Sequence, residues 1–548
     1  MKQFILLLLI ISNTFITAQK KPNILWVVCE DISPTLSMYG DHTAKTPHLD
    51  QLAKEGMVYT NAYATVGVCA PSRSAIITGM YPTSIGTMHM RVGKDIFAWG
   101  KRVYKTNIGI DDIKGKSIRE YATVIPDEVK CFPEYLRMEG YYCTNNAKTD
   151  YQFAAPITAW DENGDKAHWR NRPDEKTPFF AVFNFGSTHE SRIWKNADKP
   201  QTVDPENVPV KPYFQNTEIS KTDIARHYSN IEIMDKEIGD IITQLKEDGL
   251  YDNTIIFFYS DHGGPLPRQK RAIYDSGLHV PFIIKDIHSQ TKGKTDRMVS
   301  FVDLAPTILS LVDIKPPSYI QGKAFLGEYA EKPRKVIYGS SDRFDEVTDR
   351  LRAVRNKQFL YIWNFYPDKS KYKDIAYRKN IPMMVEMLQL RDQNKLNEIQ
   401  MQWFGNKTNE ELYDCKNDPD NLVNLIDDPK YKNELRKLRN TFLKHQQEYV
   451  DLGMLPEAKL INMMWPDFKQ PRTTTPFTTQ KGNKITLNCD TKGASIAYKI
   501  SDKPNEKFQY NNHWKLYTEP LIFISGKYYY VIAERIGFKE SETLILKM

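Results

Sequence analysis

Short segments of this chain place reactive side chains where chemistry could use them. In Val68-Cys69-Ala70-Pro71-Ser72-Arg73 a cysteine precedes a proline and a serine. Proline suits the first turn of a helix, so Cys69 is expected near a helix N-terminus, where the macrodipole favours an anion. Arg73, one turn on, would face the same place. Glu30-Asp31 supplies adjacent carboxylates, and Ser260-Asp261-His262-Gly263-Gly264 supplies a second acidic cluster. Like charges repel unless a cation or basic group lies between them. A cluster of oxygen donors is what a hard divalent ion such as Ca²⁺ or Mg²⁺ takes. Gly186-Ser187-Thr188-His189 adds an imidazole. Each feature alone also has a plain explanation: a buried structural cysteine, a helix cap, a solvated loop charge.

The elements that must position these residues are legible as apolar runs. Asn23 to Cys29, Phe179 to Phe185 and Thr254 to Tyr259 are continuous apolar stretches, as in parallel strands buried on both faces. Each ends at one of the reactive clusters, and in open α/β sheets reacting groups gather beyond the carboxyl ends of strands. Ile224, Tyr228, Ile231, Met234, Ile238, Ile241 and Leu245 mark one face of a helix that Gly249 is placed to end. Asp303-Leu304-Ala305-Pro306 reads as another helix start. Strands alternating with helices predict an α/β fold on a mainly parallel sheet.

The chain divides on composition into a segment of residues 1–18, a large α/β unit over 19–465, a proline- and threonine-rich linker over 466–483 and a unit of short alternating strands over 484–548, the look of a small all-β sandwich. Lys2 followed by the run Phe4 to Ile11 and by Thr17-Ala18 has the order of a secretory signal peptide. That run is too short to span a bilayer, so a periplasmic or secreted protein with no membrane span is expected. A balance of 75 basic against 68 acidic residues is too even for a nucleic-acid binder. An apolar content of 41% excludes disorder, and six cysteines in 548 residues exclude a disulfide-stapled scaffold. Cys131 and Cys143 could bridge in an oxidising compartment or stay free.

Cys69-Ala70-Pro71-Ser72-Arg73 resembles the activation motif of type I sulfatases, whose cysteine a separate formylglycine-generating enzyme oxidises to formylglycine (3-oxoalanine). The resemblance runs through Pro22-Asn23-Ile24, Thr46-Pro47-His48-Leu49-Asp50, Ser260-Asp261-His262-Gly263, Asp303-Leu304-Ala305-Pro306-Thr307 and Glu411-Leu412-Tyr413-Asp414. Pro212-Tyr213-Phe214 with Asn216-Thr217 looks most like the heparan N-sulfatase (sulfamidase) branch. The resemblance implies an alkaline-phosphatase-like sheet flanked by helices. It also implies a Ca²⁺ ion held by Glu30, Asp31, Asp261 and His262 with an oxygen of formylglycine 69. Glu30 stands where the family commonly has Asp, and His262 where it often has Asn. Hydrated formylglycine is a geminal diol, one hydroxyl attacking sulfur and the other then expelling sulfate, with Ca²⁺ and Arg73 stabilising the oxyanion. Lys270 aligns with a sulfate-holding cation. Lys148 falls in the family's Gly-Lys-X-His, here Ala147-Lys148-Thr149-Asp150, so Asp150 stands in place of a histidine, where an extra carboxylate beside a sulfate is electrostatically unhelpful. His189 is the expected general acid to the leaving group.

Residues 496–541 resemble the β-sandwich module at the C-terminus of some chitobiases and hexosaminidases, and Trp514 and Tyr517 would either stack on sugar rings or pack the units together. The expected substrate is a sulfated polysaccharide or oligosaccharide, an algal polymer such as ulvan or fucoidan being preferred. An N-sulfated glucosamine, as in sulfamidase, is the alternative. The rival functions are a phosphatase or phosphodiesterase on the same scaffold, which would use Ser or Thr and two metal ions, and a non-catalytic glycan-binding protein.

Overall fold

The computed structural model describes residues 21–482, 484–504, 513–522 and 524–547, so the expected signal segment 1–18 lies outside the described residues. At the centre is an eight-stranded sheet in the order Gly293–Ser300, Met57–Tyr63, Phe282–Lys285, Thr254–Ser260, Asn23–Cys29, Phe179–Phe185, Tyr142–Asn146, Glu162–Asn163. It is mainly parallel as expected: only Phe282–Lys285 runs against its two neighbours. The strand Asn23–Cys29 is buried along its whole length between Phe179–Phe185 and Thr254–Ser260, which is why its sequence carries no polar alternation.

The two faces of that strand feed separate cores. Trp26 packs on one side with its ring 5.0 Å from Phe180 in an edge-to-face pair and 5.4 Å from Tyr259. Leu25 and Val27 face the other way, onto the helix Glu218–Glu247 through Ile231, Met234 and Ile238. Thr217 caps that helix by accepting from the Ser220 amide, and Gly249 follows its end at φ +65°. The helix Leu304–Leu311 forms as read, but Asp303 caps the preceding 3₁₀ turn together with Ser300 rather than the helix itself.

A second, antiparallel sheet of Ile337–Ser341, Leu351–Arg355, Phe359–Asn364 and Glu410–Asp414 was not expected. Its pattern is masked by buried arginines: Arg352 is neutralised by Asp342 at 3.0 Å and Asp451 at 2.7 Å, and Arg355 by Asp275 at 3.0 Å. The C-terminal part forms two antiparallel sheets, one of Phe477–Lys481, Lys484–Asn488 and Leu521–Ile522, the other built around Ser495–Ser501 and Tyr528–Glu534. Phe477–Lys481 pairs with Lys484–Asn488, so strand structure begins inside the stretch read as a linker. Cys131 and Cys143 are free and buried, and the Cys143 sulfur lies 3.8 Å from the Pro133 carbonyl oxygen. Trp514 is buried, which favours the packing alternative over sugar stacking for this ring.

Candidate active site

Strand register brings the reactive clusters together. Cys29 pairs with Ser260 on one side and Phe185 on the other, so Glu30-Asp31, Asp261-His262 and the turn to His189 emerge side by side at the carboxyl end of the sheet. Asp31 turns inward at φ +54°, a conformation aspartate tolerates better than most residues. Its amide lies 3.3 Å from Asp261 Oδ1. Gly263 lets this loop lie flat, since a Cβ there would sit 2.2 Å from the Ser276 carbonyl oxygen.

Cys69 is the first residue of the helix Cys69–Thr78, every residue of which is buried. The Ser72 hydroxyl donates to the Asp261 carbonyl oxygen at 2.5 Å and ties the helix start to the acidic loop. Cys69 Sγ lies 3.3 Å from His262 Nε2. Burial opposes ionisation of the thiol, but Lys148 and Lys270 outweigh it and bring it down to about 6. An anion at this position is therefore favoured, as the helix start predicts.

Each carboxylate has its own cation. Lys148 Nζ is 2.6 Å from Glu30 Oε2, Lys270 Nζ 2.6 Å from Asp31 Oδ2, and Arg73 Nε 2.9 Å from Asp261 Oδ2. Burial works against the Asp261 carboxylate, yet His262 and Arg73 hold it down at about 2. Burial likewise disfavours charge on His262, but Asp261, Cys69 and Asp31 raise it to about 10. The His262 Nε2 atom lies 3.1 Å from Asp31 Oδ1. His189 Nε2 lies 3.8 Å from Glu30 Oε2, and its Nδ1 lies 2.8 Å from the Ser191 hydroxyl and 3.2 Å from the Ser191 amide, so Nε2 is the ring nitrogen turned to the cluster. The residues expected to hold the ion and the sulfate thus converge here, with Asp150 beside Lys148 at 3.8 Å.

Other residues complete the site without having been read from the sequence. Asn184 accepts from Arg73 Nη1 at 2.7 Å. Glu190 donates its amide to Asp31 Oδ2 at 2.6 Å and takes a two-pronged pair from Arg271 at 2.9 and 3.0 Å. Arg91 holds Asp150 at 2.7 Å. Glu190 and Arg271 are sequence neighbours of His189 and Lys270, and that adjacency was the available signal.

The donor set fits a hard divalent cation. Ligand atoms of Asp31, Cys69, Asp261 and His262 lie within 4.8 Å of one another, as do those of Glu30, Asp31, Cys69 and His189. Asp31 and Cys69 belong to both groups. Asp31 Oδ1 is buried where the two groups meet, with His262 Nε2 at 3.1 Å as its close polar neighbour. Arg73 Nη2 is buried without an acceptor, so the same cluster offers an unused donor for an anion.

Residues 22–314 match the family model described as Sulfatase, and residues 268–405 match N-sulphoglucosamine sulphohydrolase, C-terminal. The chain is 45% identical to an ulvan-active sulfatase of Formosa agariphila over 96% of this chain and 91% of that one. It is 24% identical to the human N-sulphoglucosamine sulphohydrolase over 78% of this chain and 90% of that one. Among solved structures, a 2-O GAG sulfatase superposes with a TM-score of 0.55 at 18% identity, covering 78% of this chain and 92% of that one. A phosphonate monoester hydrolase of Agrobacterium radiobacter does so with 0.54 at 16% identity, covering 79% and 97%. The fold is thus shared by proteins named for different ester chemistries.

Proposed function

The chain belongs to the sulfatase family and is a sulfuric ester hydrolase, and on that premise we propose that it removes sulfate from a sulfated polysaccharide, ulvan foremost, using Cys69 oxidised to formylglycine and a bound Ca²⁺. The observation that carries this reading is the 45% identity to an ulvan-active sulfatase along nearly the whole chain. The N-sulphoglucosamine match over residues 268–405 supports a second reading, an N-sulfated glucosamine substrate. Residues 1–18 fit a cleaved signal peptide, giving a periplasmic or secreted enzyme that needs a formylglycine-generating partner. No described helix is long and apolar enough to cross a membrane.

Glu30, Asp31, Asp261 and His262 would hold the ion beside residue 69. When bound, the ion supplies Lewis acidity toward a sulfate oxygen, and hydrated formylglycine supplies the nucleophilic hydroxyl. The chain's own side chains do the rest. Arg73 directs its open Nη2 donor at the anion while Asp261 and Asn184 fix its other nitrogens. Lys148 and Lys270, each already against a carboxylate, provide positive charge for the remaining oxygens. His189, doubly protonated, would deliver its Nε2 proton to the leaving sugar oxygen and keep its Nδ1 proton against the Ser191 hydroxyl, becoming the neutral ring.

The test is sulfate release, measured by ion chromatography, from ulvan oligosaccharides and from N-sulfated glycosaminoglycan oligosaccharides. Release from ulvan alone is expected. Release from the N-sulfated set alone would replace the first reading by the second, and release from neither by protein shown by mass to carry formylglycine would remove both.

His189→Ala should separate leaving groups. On a sugar sulfate, whose alkoxide leaves badly, the loss in kcat is expected to be about 10²–10⁴-fold. On an aryl sulfate with an acidic phenol the loss should be far smaller. Equal losses on both substrates would take His189 out of the proton-donor role.

A further inference from the structure

The C-terminal β unit is not built like a tethered module. Its strand Tyr528–Glu534 is covered on both sides. Val531 and Ala533 close a small core of its own with Ile485, Leu487 and Ile496. Tyr530 and Ile532 alternate onto the opposite face and join the cluster that contains Trp26 and Phe180 at the centre of the catalytic sheet. Ala497 and Trp514 enter the same cluster. A solvated sandwich face would carry polar residues at every second position, and this strand has none before Glu534.

Polar contacts cross this boundary as well, two of them buried, from Arg137 and from Arg535. Arg137 Nη2 donates to the Trp514 carbonyl oxygen at 2.6 Å, Arg535 Nη2 to that of Ile125 at 2.7 Å, and Lys130 Nζ to that of Gly493 at 2.8 Å. Gly537, at φ +87°, lies so close to the catalytic unit that a Cβ would sit 2.4 Å from the Thr123 carbonyl oxygen.

Glu534 connects this wall to the active site. Its carboxylate is buried, accepts from the Ile157 amide at 2.9 Å and pairs with Arg102. The same guanidinium donates to the Trp99 carbonyl oxygen at 3.1 Å and to that of Ala155 at 2.6 Å. The segment before Trp99 pairs with the segment that carries Lys148: the Ala98 amide donates to Ala147 at 2.6 Å and the Thr149 amide to Ile96 at 3.0 Å. Lys148 ends on Glu30. We infer that the C-terminal unit is a wall of the catalytic domain, and that Glu534, through Arg102, is a positioning residue for Lys148. What Lys148 does for the reaction rests on the sulfatase reading above, whereas its attachment to Glu534 does not.

Two variants of the full-length protein test this. E534Q keeps the size of the side chain and an acceptor for the Ile157 amide but removes the charge. R102K keeps a charge opposite Glu534 but loses the fork that also reaches Trp99 and Ala155, and it carries the test if E534Q does not fold. Both should lower kcat on the substrate that wild type hydrolyses by about 10- to 100-fold, with KM within about twofold. Amide exchange in peptides covering residues 96–99 and 147–150 should quicken by about tenfold or more, with the melting temperature of the whole chain nearly unchanged. Lys492→Ala, which breaks an exposed ion pair to Asp127 across the same boundary, should behave as wild type. Wild-type exchange in those peptides for both E534Q and R102K would overturn the inference, whether or not any substrate is turned over. Faster exchange with unchanged kcat would overturn the positioning role.

Discussion

Cys69→Ala is expected to lower sulfate release by about 10⁴-fold or more while the protein still folds. Residue 69 is wholly buried at the start of a helix, 3.3 Å from His262 Nε2. Burial should have raised the pKa of its thiol; instead Lys148 and Lys270 pull it to about 6, so the surroundings are arranged for negative charge at that atom. Alanine removes the sulfur from which the proposed nucleophile is made. It leaves the surrounding charges paired, because Lys148 keeps Glu30 and Lys270 keeps Asp31. The melting temperature should therefore move little. Wild type made in a host without a formylglycine-generating enzyme should be equally inactive, and the mass of the peptide containing residue 69 should report the thiol-to-aldehyde change only where activity is found. A Cys69→Ala protein that keeps more than about one per cent of the activity would exclude residue 69 from the chemistry.

The strands that carry the site could be read from the sequence because burial on both faces leaves no polar interruption, as Asn23–Cys29 and Thr254–Ser260 illustrate. The helix Glu218–Glu247 was legible for the opposite reason, one apolar stripe against a polar remainder. The sheet containing Leu351–Arg355 was not, because Arg352 and Arg355 are buried by ion pairs made with residues distant in the chain, which a local pattern cannot reveal. The same limit applies within the site. Cys69, Arg73, Asp261 and His262 stand in motifs, whereas Asn184 and Arg271 matter through partners 111 and 81 residues away. Trp514 illustrates a choice that the sequence leaves open: a single aromatic residue between short strands does not say which side of its sheet will be covered, and here the catalytic unit covers it, as the packing alternative expects.

Removing the divalent ion should cost activity far more than it costs the fold. In a site held together mainly by its metal, stripping would leave carboxylates facing one another and the structure would loosen. Here Glu30, Asp31, Asp261 and Glu190 are matched by Lys148, Lys270, Arg73 and Arg271, each within 3 Å of its partner. The chain therefore neutralises its own acidic cluster, and the melting temperature after exhaustive chelation should fall by only a few degrees. Sulfate release should fall by about 10²-fold or more, because none of these four cations can replace the Lewis acidity of the ion while bound to a carboxylate. Ca²⁺ should restore activity and melting temperature together. Asp31→Asn should mimic the stripped protein in activity and resist rescue, since it removes the negative charge between the ion and Lys270 and weakens the contact with Lys270 as well. Full activity in protein shown by elemental analysis to contain no metal would sink the assignment. A collapse of the fold on chelation would instead mean that the ion pairs do not hold the cluster, and that the ion is structural as well as catalytic.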